Sequence, residues 1–361
     1  MDSRNRTDLT GLLAELRAGC RLPVAVNPHR RAADDWLPGW LRHCGLPPDT
    51  TAHRRLAGAR IGGYAARLYP AANLGRLRLL TALFAWFFLI DDDFDQVAQP
   101  QQDRLHRLAS EILALLRTAQ TTDAGAGPGA GPDPDTGPDP DTGPVFVGPA
   151  RRMLTGPWRV LARTMPPWWR ERFVDAVAEH LDGAVREARN KAAGHRPDPA
   201  EYVELRRATS AANVAYTLIE FATGEPVPDA VFHHPRIREL ADTGNDLLSW
   251  YNDLCSLPGD LRVGGGHNLV VAVAEAERIP LTVAVDLVAG RWRAQLDLFA
   301  ARRAAVPSFG PTYDRAAAAL LDGIGHAVRG TIDWSAESSR YRRPGQPDGA
   351  CAARPGQQEP A

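Results

Sequence analysis

The sequence predicts an all-α fold, a single α-helical bundle, on three observations. Apolar residues recur at helical spacing through most of the chain, and strand alternation punctuated by hairpin turns is not evident. Glycine and proline are numerous, at 32 and 30, yet a third of the prolines fall in two short stretches that can lie outside a bundle. Taken in order, the first 21 residues, opening MDSRNRTDLTGLLAEL, carry charge where a signal peptide needs its apolar stretch, and read as an N-terminal arm (1–21). Leu79 to Ile90 is the longest apolar run, broken only by Thr81, and falls well short of the roughly 20 residues that span a bilayer. Leu105, Leu108, Ile112 and Leu115 or Leu116 mark the next helix. Residues 123–144 then hold six Gly and six Pro, with GPDPDT twice in tandem, a low-complexity, disordered insert that cannot pack a core.

Helical spacing returns from Phe173 to Val185 and from Leu281 to Phe299. Asp198-Pro199-Ala200-Glu201 supplies an N-cap, a proline at the first helical position and a glutamate that closes the cap, so a helix is expected from Pro199 towards Thr223-Gly224. Residues 344–361, with four Pro and three Gly, read as a disordered tail. The chain is thus expected to be one domain over 22–343 interrupted by the insert. Two domains joined by a linker is the rival, disfavoured because the chemistry below is divided between the two sides of the insert.

With 361 residues, 44% of them hydrophobic, the chain can bury a sizeable core. Its formal net charge of -1 removes any global electrostatic case for nucleic acid or an anionic membrane as partner. Cys20, Cys44, Cys255 and Cys351 show neither C-x-x-C pairing nor histidine at ligand spacing, so no zinc site or disulfide framework is indicated and a cytoplasmic location is expected.

The strongest local feature is Trp86-Phe87-Phe88-Leu89-Ile90-Asp91-Asp92-Asp93-Phe94-Asp95. Four carboxylates within five residues at the end of an aromatic helix repel one another unless cations neutralise them. Asp91 and Asp95 share a helix face, and Phe84, Phe87 and Phe88 precede them on it. Such oxygens suit a hard divalent ion such as Mg²⁺, although a solvated acidic helix end is the bland alternative. A second oxygen set, Asn252, Ser256 and Asp260, is spaced i, i+4, i+8 and would form one row on a continuous helix, which Pro258-Gly259 threatens before Asp260 is reached. Two positive elements accompany them. Arg206 and Arg207 point about 100° apart on their helix, so only one can readily face a central pocket. Ser338-Ser339-Arg340-Tyr341-Arg342-Arg343 offers donors that suit a diphosphate. A surface basic patch is the alternative for either.

Together these elements resemble the bacterial class I terpene synthases (terpene cyclases), over about Leu22 to Arg343. Phe87 to Asp95 looks like that family's aspartate-rich motif. Asn252, Ser256 and Asp260 resemble its second metal triad, Arg207 its diphosphate sensor, and Arg340-Tyr341 its C-terminal Arg-Tyr pair. Asn27-Pro28-His29, Trp36, Trp334 and His267-Asn268-Leu269-Val270 are supporting matches.

The resemblance implies a helical bundle of the class I terpenoid synthase type that ionises and cyclises a prenyl diphosphate in isoprenoid secondary metabolism, releasing diphosphate. It implies three Mg²⁺ ions, with Asp91 and Asp95 as ligands on one side and the triad on the other. Asp92 would support closure, as would Ser210 and Ala211 at a helix break behind the sensor. Phe84, Phe87, Phe88 and Trp334 are the expected lining that favours a carbocation. Farnesyl diphosphate and a sesquiterpene product are the first reading; geranyl or geranylgeranyl diphosphate, and a catalytically impaired homologue, are the alternatives. A monomer or homodimer without membrane insertion is expected. Asp260 stands where that family usually has glutamate, and Gly259 where a lysine is common.

Overall fold

The computed structural model describes residues 3–95, 102–121, 143–264 and 267–338. Among them run fifteen α-helices: α1 (Ser3–Gly19), α2 (Arg30–His43), α3 (Thr51–Gly58), α4 (Ile61–Leu68), α5 (Leu74–Asp95), α6 (Gln102–Thr121), α7 (Gly148–Thr164), α8 (Pro167–Ala193), α9 (Pro199–Thr209), α10 (Ala212–Thr223), α11 (Asp229–Phe232), α12 (Pro235–Asp260), α13 (Leu269–Glu277), α14 (Leu281–Ala304) and α15 (Asp314–Glu337). No strand occurs among the described residues, so the predicted all-α class holds.

Why α5 is central follows from its sequence. Leu77, Leu80, Leu83, Trp86 and Ile90 are buried and leave no solvent-facing stripe along the apolar run, so the helix needs partners on every side. It finds them in α2, α4, α7, α8 and α10. The apolar run is therefore core, and no helix among the described residues is long and apolar enough to cross a membrane. On the other side of the bundle α12 packs against α14 and α15, and α15 against α4. The α4–α15 approach depends on Gly330, where a Cβ would lie 2.8 Å from the Cβ of Arg67.

Three buried tryptophans tie these layers, each donating its indole N–H to a backbone carbonyl. Trp169 Nε1 donates to Thr217 O at 2.9 Å, Trp292 to Leu247 O at 2.8 Å and Trp334 to Ala59 O at 3.1 Å. Asn27 is likewise structural, its amide donating to the carbonyls of Tyr69 and Ala72 to pin the turn before α5.

The structure differs from the sequence expectations in several places. The helix expected to run from Pro199 towards Thr223 is two, capped at its start by Asp198 and interrupted at Ser210-Ala211, where Ala211 has φ 56°. Conversely, α12 does not stop at Pro258-Gly259 but reaches Asp260 and a 3-10 turn, Leu261–Val263. Proline removes one N–H and crowds one carbonyl, and in the last turn that loss is confined to a helix end. The N-terminal segment forms α1, which packs on α12 and α14 and buries Leu16, with Arg17 donating to Asp333 of α15 at 2.7 Å. Of the proposed insert, 123–142 lies outside the described residues, and the chain beyond it meets α6 again, where Glu111 accepts from the amides of Val145 and Phe146. The tail, 344–361, also lies outside the described residues.

Candidate active site

The C-terminal turns of α12 carry the oxygen row. Because the helix continues past Pro258, Ser256 and Asp260 meet on one face, Ser256 Oγ donating to Asp260 Oδ2 at 2.6 Å. Asp260 is held from the other side by Asn268, whose amide donates to Asp260 Oδ2 and to Asp253 O, both at 2.8 Å, while its own oxygen caps α13. The His267-Asn268 match in the sequence thus marks a residue that orients Asp260.

Asn252, one turn earlier, faces α9. Its Oδ1 accepts from Arg206 Nη2 at 3.0 Å, and Arg206 Nε donates to Asp253 Oδ1 at 3.1 Å. Asp253 is buried and also accepts from Tyr202 Oη at 2.8 Å. Burial opposes the charge on Arg206, but the neighbouring Asp253 carboxylate outweighs it and holds the guanidinium above its ordinary range.

Arg207 points elsewhere. It grips Asp246 through two bonds, Nε to Oδ1 at 2.8 Å and Nη2 to Oδ2 at 2.7 Å, and Gln295 donates to the same carboxylate. Asp246 precedes Asn252 by six residues on α12, about 9 Å of helix rise below it. In this structure Arg206 rests beside the oxygen row, and Arg207, the expected diphosphate contact, rests on Asp246. Only one of two adjacent arginines can face the oxygen row, and it is the one whose partners are Asn252 and Asp253.

Asp91 lies across the bundle at the end of α5, half-buried, with His180 of α8 beside it at 3.3 Å, Nε2 to Oδ1. The helix continues through Asp92 and Asp95, whose side chains lie outside what the structure describes; Arg340 and Tyr341 are likewise outside the described residues. Ser210 stands at the α9–α10 break, its hydroxyl donating to Arg207 O and accepting from the amide of Ala212.

Behind Asp91 the aromatic side chains divide. Phe88 stacks on Trp334 with centroids 5.6 Å apart, and Tyr64 of α4 joins them, 4.6 Å from Trp334 and 5.2 Å from Phe84. Phe84, Phe88 and Trp334 are thus brought together, while Phe87 turns to Trp86 and to the edge of His180. Sequence reasoning missed Tyr64 and His180. The one signal for His180 was a histidine inside the buried stripe of α8 that contains Phe173, Val177 and Leu181.

Among the described residues no three His, Cys, Asp or Glu side chains converge to hold an ion unaided. The donor set is instead mixed: an amide oxygen, a hydroxyl and a carboxylate in one row, with the Asp91 carboxylate on a second helix. These are hard oxygen donors of the kind a divalent ion takes, and Asn252 Oδ1 is the acceptor of the Arg206 guanidinium. The set fits a divalent metal.

Comparison with known proteins agrees with this chemistry. Residues 82–297 match terpene synthase family 2, C-terminal metal binding. The chain is 31% identical over 332 residues to 10-epi-cubebol synthase of Sorangium cellulosum, covering 90% of this chain and 97% of that protein. It is 27% identical to the (+)-T-muurolol synthase of Roseiflexus castenholzii, described as (2E,6E)-farnesyl diphosphate cyclizing, over 88% and 90% of the two chains. In fold it is similar to a cucumene synthase variant (TM-score 0.72, 24% identity, 89% of this chain and 99% of the other). It is also similar to the linalool/nerolidol synthase of Streptomyces clavuligerus solved with 2-fluorogeranyl diphosphate (TM-score 0.70, 23% identity, 88% and 97%).

Proposed function

This chain belongs to the terpene synthase family and is a terpene synthase, and we propose that it converts farnesyl diphosphate, with Mg²⁺, into a cyclic sesquiterpene and diphosphate. The observation that carries this reading is the junction at the end of α5. There Phe84, Phe88 and Trp334 cluster with Tyr64 in the turns that precede Asp91, an apolar aromatic group beside an oxygen donor, and α12 and α9 supply the row Asn252, Ser256, Asp260 and the Arg206 guanidinium. A prenyl diphosphate has the matching division, an apolar chain and a polyanionic head. The choice of the fifteen-carbon substrate rests on relatives named as sesquiterpene synthases and on one whose description names farnesyl diphosphate.

Asp91 and Asp95 would hold metal on one side, and Asn252, Ser256 and Asp260 on the other, for three ions in all. Bound Mg²⁺ supplies Lewis acidity to the diphosphate oxygens. Arg206, with Arg340 and Tyr341, donates to the departing diphosphate as it takes the electrons of the allylic carbon–oxygen bond. Releasing Asn252 frees Arg206 for that role, while Asp253 keeps it charged. The carbocation left behind reacts with any water present, so the lining must be apolar, and its π faces favour positive charge. Asp92, Ser210 and Ala211 would take part in closing the site over the substrate.

The test incubates the purified protein and Mg²⁺ with geranyl, farnesyl and geranylgeranyl diphosphates, with products read by gas chromatography and mass spectrometry. The expected result is a cyclic fifteen-carbon hydrocarbon or alcohol from farnesyl diphosphate. Turnover of only the ten- or twenty-carbon substrate would overturn the substrate assignment, and turnover that survives Asp91→Ala combined with Asn252→Ala would overturn the site.

A further inference from the structure

Helix α1 lies ahead of Leu22, where the family resemblance begins, so no motif assigns it a role, yet it is bonded to both α12 and α15. Tyr251 of α12 donates through Oη to Leu13 O at 3.2 Å, and the next residue along α12 is Asn252. Arg17 Nε donates to Asp333 Oδ1 of α15 at 2.7 Å, and its Nη2 lies 3.6 Å from Glu337 Oε1. Arg329 adds to this fastening, bonding Asp333 Oδ2 at 3.0 Å and the carbonyl of Cys20, just past α1, at 2.6 Å. Glu337 is shared with α4, its Oε2 accepting from Arg67 Nη2 at 2.7 Å. Asp333 and Glu337 lie on one face of the last turn of α15, and Trp334 projects about 100° away from Asp333. The turn is therefore tied to α1 and α4 on one face, while the neighbouring face carries the indole that meets Tyr64 and Phe88.

The last turn of a helix has carbonyls without intrahelical partners and opens readily unless it is held from outside. Here the ties from outside are those of Arg17 and Arg67, with the Trp334 bond to Ala59 O. We propose that α1 serves the reaction through Arg17, a positioning residue that fixes the Trp334 indole against the reacting chain and so governs which product forms. A carbocation in a closed pocket partitions between ring closures, proton loss and water capture, and a small displacement of one wall changes the ratio of those steps. Arg17 touches neither of the oxygen sets, so its effect falls on the fate of the cation more than on its formation. This rests on the place of Trp334 in the proposed lining and adds to that reading an element and a residue that set its geometry.

The test compares product ratios, which do not depend on how much of the enzyme is folded. Wild type, Arg17→Met and Arg17→Lys are incubated with Mg²⁺ and the prenyl diphosphate that wild type converts, and products are resolved by gas chromatography and mass spectrometry. Arg17→Met keeps an unbranched side chain and removes the ion pair. It should raise the share of minor products about threefold, with KM changed less than about twofold. Arg17→Lys retains one charged donor for Asp333 and should restore most of the wild-type pattern. Tyr251→Phe loosens the α12 side by deleting only the bond to Leu13 O, and should shift the ratios in the same direction even if Arg17→Met does not fold. Amide hydrogen exchange gives a readout without turnover: residues 331–338 should exchange about threefold faster in Arg17→Met than in wild type, with Arg17→Lys between them. Wild-type product ratios in Arg17→Met, even with a lowered urea midpoint, would make α1 a stabilising element only and overturn the proposal, as would unchanged exchange over 331–338. Absence of product from wild type itself would overturn the parent reading and this proposal with it, whereas altered ratios in the variants can arise only where the parent reading holds.

Discussion

Asp260 and Arg206 are the residues on which the site's geometry makes the sharpest demands. Asp260 is shorter than glutamate, yet Ser256 and Asn268 both donate to its Oδ2 and hold it on the oxygen row. A carboxylate so held is pre-positioned for a cation, so Asp260→Ala should raise the Mg²⁺ concentration for half-maximal turnover roughly tenfold, about 1.4 kcal/mol of binding, while Asp260→Glu recovers most of it. An Mg²⁺ titration of turnover reads this, and an unchanged midpoint in Asp260→Ala would remove the residue from the metal shell. The two arginines make a second contrast. Arg206→Ala deletes the donor proposed above for the leaving diphosphate and should lower kcat roughly 10²-fold. Arg207→Ala leaves the buried Asp246 with Gln295 and should cost about 1–3 kcal/mol of stability in urea, with a much smaller loss in kcat. The sequence motifs told oxygen donors from arginines readily, because chemistry goes with residue type. They did not show where each of the adjacent arginines 206 and 207 rests, since a 100° difference in direction acquires meaning only when a neighbouring helix supplies Asn252 to one and Asp246 to the other. His180 and Tyr64 were illegible for the same reason: each acts through residues more than a dozen positions away on other helices.

Helix continuity is where local rules and tertiary context part company. Apolar spacing located α6, α8 and α14, because each has a stripe that must face a core. Proline at 258 is a helix breaker by local rules, yet the helix survives it, because the missing donor falls where helix bonds are ending. Between α9 and α10 the reverse holds. No glycine or proline marks the interruption, and Ala211 adopts a left-handed conformation that alanine disfavours. The break is imposed by packing, through the Gly183–Ala208 approach and the Ser210 hydroxyl that caps both helix ends. Replacing Ala211 with glycine should relieve the strain and stabilise the protein by about 0.5–1 kcal/mol, seen as a higher urea midpoint with an unchanged slope. A loss of stability would show that the alanine methyl makes contacts worth more than the backbone cost. Should kcat fall while stability rises, the strain belongs to the closing movement.

At the scale of the whole molecule, two buried acids give the stability opposite responses to pH. Asp333 sits in the latch between α1 and α15. Burial opposes its charge, but Arg329 at 3.0 Å and Arg17 at 2.7 Å outweigh it and hold the carboxyl below its ordinary value of 3.8. An acid with a lowered folded pKa stabilises the fold above its unfolded pKa and loses that contribution only as pH falls through and below it, so the latch is indifferent to pH above about 5. Glu220, on α10, behaves in the other sense. Burial raises its carboxyl to about 7 against the pull of Arg172 and of the Val227 amide, and its Oε1 is buried without a hydrogen-bond partner, a place for a proton. The folded protein then binds that proton more tightly than the unfolded chain, whose glutamate has the ordinary value of 4.5. The stabilisation is complete below that value and is lost as pH rises towards 7. Glu220→Gln cannot ionise, so the stability difference between wild type and Glu220→Gln should shift by about 1–3 kcal/mol against wild type between pH 5 and pH 7.5, measured by urea denaturation at each pH. Asp333→Asn should leave the wild-type slope over that interval intact and alter it only in more acidic solution. A wild type and Glu220→Gln pair with a constant difference across the interval would place the Glu220 proton elsewhere, and with it the balance of charge around Arg172 at the base of α8.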